Sequence, residues 1–209
     1  MFRSLSVIGV TLVCSISAGM AQAETVYFLV GEKYPSYNDC YVLALSNLAD
    51  IRHARRIILN PQTTAQIVVA VIERSNPDGL NRNYVAEGLP VWSWRVNEFL
   101  GFWEATPEIM DGSPTDVEEY PGMWPSGSTI GFWSYTVVKE LGTDLEIWNC
   151  DLSADDIIDF EDVRLFAEDW LEPVHWGADI DGSYSVDFAD FAIMASHWLE
   201  HTPDQPHLP

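Results

Sequence analysis

The chain has 209 residues, of which 32 are acidic and 10 are basic, so its formal net charge is −22 at pH 7. This length is sufficient for one ordinary domain and a small additional module. Nucleic-acid binding requires a basic surface, and this composition excludes it. The acidic excess is concentrated at the end of the chain, where residues 150–209 hold 15 acidic residues and a single basic one, Arg164. This change in composition predicts a domain boundary near residue 149.

Residues 1–23 have the features of a secretory signal peptide. Arg3 supplies a positive charge, an apolar run too short to span a bilayer follows, and AQA at 21–23 is a small-residue cleavage site. We predict a secreted protein, extracellular or at the cell surface, with no membrane span in the mature chain; an uncleaved anchor is the alternative. Export permits a disulfide between Cys40 and Cys150, although the sequence does not show that they meet.

Residues 24–148 alternate between strand and helix patterns. The predicted strands are TVYFLV, CYVLALS, AQIVVAVIER, VWSWRVNEFLGFW and, as one long final strand, STIGFWSYTVVKEL; the predicted helices are NLADIRHARRIIL and SPTDVEEY. This order predicts an α+β domain with a mainly antiparallel sheet. The alternation in the fourth strand places Trp92, Trp94 and Val96 on one face.

Four stretches of this domain resemble a small β-rich family first named in a calmodulin-binding protein. They are ADIRHARRII, WSWRVNEF, EIMDGSPTDVEE and GFWSYTVVKEL, within residues 24–141. The resemblance implies no chemistry, and the domain has neither a serine-nucleophile motif nor a glycine-rich phosphate loop. We therefore assign no catalytic residue and predict a non-catalytic domain. The alternatives are a polysaccharide-binding protein that uses exposed tryptophans and a small glycan-active hydrolase.

The acidic segment contains an internal repeat. The stretches CDLSADDIIDFEDVRLFAEDWLE and ADIDGSYSVDFADFAIMASHWLE, 28 residues apart, share eight identical residues in register. Each has a twelve-residue acidic loop, 151–162 or 179–190, followed by apolar residues at helical spacing. Aspartates at the ninth and twelfth places of each loop are suited to capping the helix that follows. Capping does not explain the earlier aspartates, whereas a bound cation explains them all.

Oxygen is the only kind of side-chain ligand in the two loops, which favours calcium over zinc. EF-hand loops bind calcium through their first, third, fifth, seventh, ninth and twelfth places. In the first loop these are Asp151, Ser153, Asp155, the Ile157 carbonyl, Asp159 through water, and Asp162. In the second loop they are Asp179, Asp181, Ser183, the Ser185 carbonyl, Asp187 through water, and Asp190. We predict two calcium ions, and we expect Ile158 and Val186 to pair the loops through backbone hydrogen bonds.

This duplicated pattern resembles the dockerin type I family over residues 149–200. The resemblance implies a small all-α module with two calcium-binding loop-helix units after the α+β domain. We also predict a flexible tail at 201–209, because chain ends are commonly disordered. It also implies docking to a cohesin-like or cell-surface partner, in extracellular polysaccharide degradation. An unrelated acidic helical hairpin is the alternative.

The sequence departs from the family pattern at two places. Asp156 and Tyr184 occupy the sixth place, where the sharp turn favours glycine, and this predicts weaker calcium binding. Phe160 and Phe188 occupy the tenth place, where the family usually has a polar residue that cohesins recognise, so this feature of the family is missing.

Overall fold

The computed structural model describes residues 24–33, 39–60, 62–74, 79–143, 145–170, 177–181, 183 and 185–202. The predicted signal peptide, Tyr184 and residues 203–209 of the predicted tail lie outside them. The strands are β1 Val26–Glu32, β2 Cys40–Leu45, β3 Ile67–Glu73, β4 Arg95–Trp103, β5 Thr129–Ile130 and β6 Tyr135–Gly142. The helices are α1 Leu48–Leu59, α2 Pro114–Glu119, α3 Glu146–Cys150, α4 Phe160–Glu168 and α5 Phe188–Ser196, with a 3-10 helix at Glu108–Met110. No helix in the described part of the chain is long and apolar enough to cross a membrane.

The strands form two antiparallel sheets of three strands each, in the orders β2-β1-β6 and β4-β3-β5. The α+β class and the antiparallel pairing predicted for this domain are therefore correct, although the strands divide between two sheets. The two sheets and α1 share one apolar core, to which the first sheet contributes Phe28 and Leu43, the second Ala70, and the helix Ala54. All four of these side chains are fully buried.

Trp92 and Trp94, which precede β4, belong to this core. Their rings stack with centroids 6.3 Å apart, and Trp92 donates a hydrogen bond from Nε1 to the Cys40 carbonyl oxygen. The alternation in the sequence is therefore real, and its apolar side faces inward. Neither ring presents a face on which a sugar can stack.

The long final strand predicted for residues 128–141 is wrong, because the chain turns between β5 and β6. The Phe132 carbonyl oxygen accepts a hydrogen bond from the Tyr135 backbone amide, which closes the turn. Gly131 lies against Thr106 and Met110, where a Cβ atom would come within 2.7 Å of Thr106 Cγ2. This turn carries the chain from one sheet to the other.

The second face of the sheet β2-β1-β6 is covered by the end of the chain. Leu29, Val42 and Leu141 on this face form one apolar cluster with residues of the acidic segment, including Leu152 and Phe166. Burial on both faces explains why β1 and β2 are buried almost without alternation. The separate all-α dockerin-like module predicted for residues 149–200 is therefore wrong: α4 and α5 complete the core of the α+β fold.

Cys40 and Cys150 both lie in this second cluster, but as buried thiols that no disulfide joins. Cys40 Sγ accepts a hydrogen bond from the Tyr84 backbone amide and donates one to Asn83 Oδ1. Burial raises the pKa of the Cys40 thiol to about 12, so the thiol stays protonated at neutral pH.

Candidate metal centre

Three carboxylates of the second acidic loop lie close together. Asp179, Asp181 and Asp190 each offer an oxygen atom, and these atoms are all within 4.8 Å of one another. Two oxygen atoms that both bind one Ca²⁺ at about 2.3–2.6 Å are at most about 5 Å apart, so the spacing suits a calcium ion. Asp179 and Asp190 are buried, and Asp181 is exposed to solvent.

Backbone amides hold these carboxylates in place. Asp190 Oδ1 accepts hydrogen bonds from the backbone amides of Ile180 (2.8 Å) and Asp181 (3.1 Å), and Oδ2 accepts one from Asp187 (2.9 Å). Asp179 Oδ1 accepts one from the Ser183 amide at 2.9 Å. The loop therefore folds around its acidic side chains, with their oxygen atoms turned towards the loop interior.

The first loop repeats the same hydrogen bonds. Its first aspartate, Asp151, accepts from the amide of Asp155 at 3.1 Å, as Asp179 does from Ser183. Its last, Asp162, accepts from the amides of Ser153 (2.9 Å) and Asp159 (2.7 Å). The internal repeat of the sequence is thus also a repeat of backbone conformation.

Each loop ends in the predicted capping box. The Asp159 and Asp187 side chains accept from the first turns of α4 and α5, and the twelfth-place aspartates bond back to the N-cap amides. The predicted start of both helices is therefore confirmed. Capping does not exclude a role in metal binding, because Asp190 completes a capping box and also belongs to the carboxylate group.

The two loops differ in how closely they gather their carboxylates. Among the described residues, the second loop contains a group of three carboxylates whose oxygen atoms lie within 4.8 Å of one another. The described residues of the first loop form no such group. Burial raises the pKa of Asp151 to about 6, and the neighbouring Asp162 and Asp155 add to the rise. Asp156 adopts φ 69°, so it makes the left-handed turn at the sixth place without glycine.

Three other predicted ligands, Ser153, Ser183 and Ile157, contact protein groups. Ser153 donates from Oγ to Asp151 Oδ1 at 3.4 Å, and Ser183 donates from Oγ to the Ser185 carbonyl oxygen at 3.2 Å. Ile157 forms an antiparallel bridge with His201. The second loop thus brings together three of its six predicted ligands as carboxylates.

The predicted pairing of Ile158 with Val186 through backbone hydrogen bonds is wrong. The Ile158 amide donates to the Glu200 carbonyl oxygen at 3.0 Å, and its own carbonyl accepts from the Leu199 amide at 2.8 Å. Ile158 and Val186 are both buried in the second cluster, so the predicted apolar role of the eighth place stands.

Arg82 is a part of this site that the sequence analysis missed. Its side chain is almost fully buried and donates hydrogen bonds to the backbone carbonyl oxygens of Gly79 (2.7 Å), Gly177 and Asp179 (2.6 Å). Burial lowers the pKa of its guanidinium, while the charges of Tyr84, Asp179 and Asp190 oppose that change. A lone arginine in a polar loop gives no periodic pattern, so nothing in the sequence connects it with residue 179.

Two aromatic pairs link α4 and α5 at the surface. Phe160 meets Trp198, and Phe188 meets Trp170, and in both pairs the ring centroids are 4.9 Å apart with an angle of 77° between the ring planes. Each phenylalanine belongs to one repeat and its tryptophan to the other. Phe160 and Phe188 are 78% and 76% exposed, so apolar surface remains open to solvent.

Comparison with known proteins places the first part of the chain. The family model described as the BP-74 N-terminal domain matches residues 24–144, which is more than half of the sequence. The chain belongs to this family. No curated protein and no solved structure matches the chain. The matched domain ends before both acidic loops, so the resemblance of residues 149–200 to dockerins stays a prediction.

Proposed function

We propose that this chain is a secreted calcium-binding protein that holds Ca²⁺ in its second acidic loop and, more weakly, in its first. The observation that carries the proposal is the group formed by Asp179, Asp181 and Asp190. At about 4.8 Å and an effective dielectric constant of about 20, each pair of these charges repels by roughly 3–4 kcal/mol. A divalent cation among them removes this repulsion, and its preference for oxygen ligands matches the donor set.

The first loop supports a second, weaker ion. Its matching hydrogen bonds give it the same backbone shape, but its carboxylates are less closely gathered. We infer that the second loop fills first as the calcium concentration rises.

Isothermal titration calorimetry of the chain with calcium chloride tests this assignment. Asp181→Asn and Asp155→Asn are matched variants, because each exposed carboxylate accepts one backbone hydrogen bond that an asparagine oxygen can keep. We expect Asp181→Asn to weaken the tighter site by about tenfold or more and Asp155→Asn to weaken the other. Glu98→Gln, a change of an exposed acid on β4, is the control and leaves both sites intact. Absence of binding at millimolar calcium rejects the proposal.

We further propose that the aromatic pairs form the surface through which the chain docks to a protein partner, cohesin-like or otherwise displayed at a cell surface. Phe160 and Phe188 support this role, because both are large, apolar and exposed. The partner's surface is expected to be apolar with a basic rim, since residues 150–209 carry 15 acidic residues and one basic residue. Docking of this kind suits a non-catalytic component of extracellular polysaccharide degradation.

Capture from the surface of the producing cell, with calcium or with a chelator, tests the docking proposal. The double variant Phe160→Asp/Phe188→Asp is expected to lose the captured partner. Ile109→Asp/Met123→Asp is the matched control, because both side chains are about as exposed but lie in the N-terminal domain, residues 24–144. Equal capture by the two double variants contradicts this role for the aromatic pairs.

A further inference from the structure

A cavity of about 250 Å³ lies between the end of α1 and the strand β6. Its walls are largely aliphatic, formed by Ile57 and Ile58 on the helix and by Val137 and Val138 on the strand. The cavity belongs to the N-terminal domain and has no part in the acidic loops. At about 30 Å³ for each water molecule, it has room for about eight waters.

Among the residues that the structure describes, Lys33 is the one charged side chain that lines this cavity. Its ammonium group makes no hydrogen bond or ion pair with the described residues, and burial lowers its pKa because it has lost part of its hydration. The cavity contains no carboxylate among the described residues, although the chain has 32 acidic residues. A partly dehydrated cation with no counter-ion in the described part of the chain favours an anionic ligand.

Two of the three neutral polar residues in the wall already have side-chain partners, and the third is Gln62. The Thr136 hydroxyl donates to the Gln66 carbonyl oxygen at 2.9 Å, and the Gln66 side-chain amide donates to the Thr63 carbonyl oxygen. Among the described wall residues Lys33 is the cationic donor and Gln62 a neutral one, while the aliphatic walls favour an apolar body.

We infer that this cavity binds a small monocarboxylate with an apolar body, placing the carboxylate on Lys33 and the body against the isoleucine and valine side chains. The volume admits a ligand of about eight to ten non-hydrogen atoms, the size of hexanoate or benzoate. A ligand of this size and one charge contact gives a dissociation constant on the order of 1 mM.

NMR titration of the ¹⁵N-labelled chain tests the inference with four probes: sodium benzoate, sodium hexanoate, neutral benzyl alcohol and sodium acetate. We expect benzoate or hexanoate to shift the amides of residues around the cavity, and the variant Lys33→Gln to bind about tenfold more weakly. Benzyl alcohol lacks the charge and acetate lacks the apolar body, so both are expected to bind much more weakly than benzoate.

Lys139→Gln is the matched control: Lys33 directly follows β1 and Lys139 lies on the neighbouring strand β6, but Lys139 does not line the cavity and pairs with Asp156 at 3.3 Å. It is expected to bind benzoate as the unaltered chain does. Equal binding of benzoate to the unaltered chain and to Lys33→Gln overturns the inference. So does binding of benzyl alcohol as tight as that of benzoate, or the absence of any shift at tens of millimolar of both carboxylates.

Discussion

The aspartates of the acidic loops combine two roles that the sequence presents as alternatives. Helix capping explains Asp190 by itself, since its side chain completes the capping box of α5. The same carboxylate lies within 4.8 Å of Asp179 and Asp181. A carboxylate has two oxygen atoms and about four lone-pair positions, so bonds to backbone amides leave capacity for a cation. Asp190 can therefore cap the helix and bind a cation at the same time.

His197 gives a test at a single residue, away from the acidic loops. It follows α5 and lies between Glu200, 2.9 Å from Nδ1, and Glu146, 3.1 Å from Nε2. The hydrogen bond with Glu200 is the main cause that raises the pKa of His197 above its ordinary value of 6.5, and that with Glu146 adds to it.

A raised histidine pKa stabilises the folded state below the unfolded value, and this contribution is lost as the pH rises through the folded value. We therefore expect the melting temperature to fall as the pH rises above 6.5, by the equivalent of less than about 1 kcal/mol because the pairs are partly exposed. His197→Gln is expected to remove this part of the pH profile. His53→Gln is the control, since His53 contacts the Ala65 carbonyl oxygen and the Phe102 ring. An unchanged profile in His197→Gln contradicts the assignment.

The secondary structure elements that the sequence predicts well are those defined by local periodicity. The helix patterns after each loop correspond to α4 and α5, and their N-caps were identifiable because capping depends on a few consecutive residues. The turn between β5 and β6 was not identifiable. It depends on Thr106 and Met110, which are distant in sequence and lie where a side chain at residue 131 would go.

Gly131 tests this explanation of the turn. In Gly131→Ala the new Cβ atom would lie 2.7 Å from Thr106 Cγ2 and 3.3 Å from Met110 Cε, so the Thr106 and Met110 side chains have to shift. Overpacking of this kind costs about 1–3 kcal/mol, which lowers the melting temperature of a chain of this size by roughly 2–12 °C. Gly122→Ala is the control, because nothing lies within 4 Å of its Cβ position, and we expect a change of at most about 0.5 kcal/mol. Equal melting temperatures for the two variants would contradict this explanation, because they would show that the turn accommodates a Cβ atom at residue 131.

The molecule as a whole differs most from the sequence-based expectation. An apolar stripe on α4 predicts that the helix packs on something, but the pattern does not identify the other surface. That surface belongs to the second apolar cluster, which also contains residues of β1, β2 and β6. Arg82, between β3 and β4, donates hydrogen bonds to the carbonyl oxygens of Gly177 and Asp179 at the start of the second loop. The higher density of acidic residues after residue 149 marks a change of surface charge, whereas the apolar core contains residues from both sides of this position.

This continuity predicts that calcium stabilises the entire molecule. If the loops bind calcium as proposed, a free concentration of about 100 times the dissociation constant adds about 2.7 kcal/mol to the free energy of unfolding, which raises the melting temperature by roughly 5–11 °C. Because the second cluster contains β1, β2 and β6 residues as well as α4 and α5, we expect a single calcium-dependent transition. Differential scanning calorimetry and hydrogen exchange of the β1 and β2 amides, each with calcium or EDTA, provide the measurements.

Arg82 and Arg74 form a matched pair that shows whether this coupling passes through the carbonyl contacts. Arg82 donates to three backbone carbonyl oxygens, and Arg74 donates to two, those of Trp124 and Val117, entirely within residues 24–144. Both Arg82→Met and Arg74→Met are expected to lower the melting temperature in EDTA, because each leaves backbone carbonyl oxygens without a hydrogen-bond donor. In Arg82→Met the calcium-induced rise should shrink as well, since the backbone of Asp179 loses its hydrogen bond to the segment between β3 and β4. If calcium stabilises both variants equally, the ion acts on the loops alone and Arg82 serves only the packing of the fold.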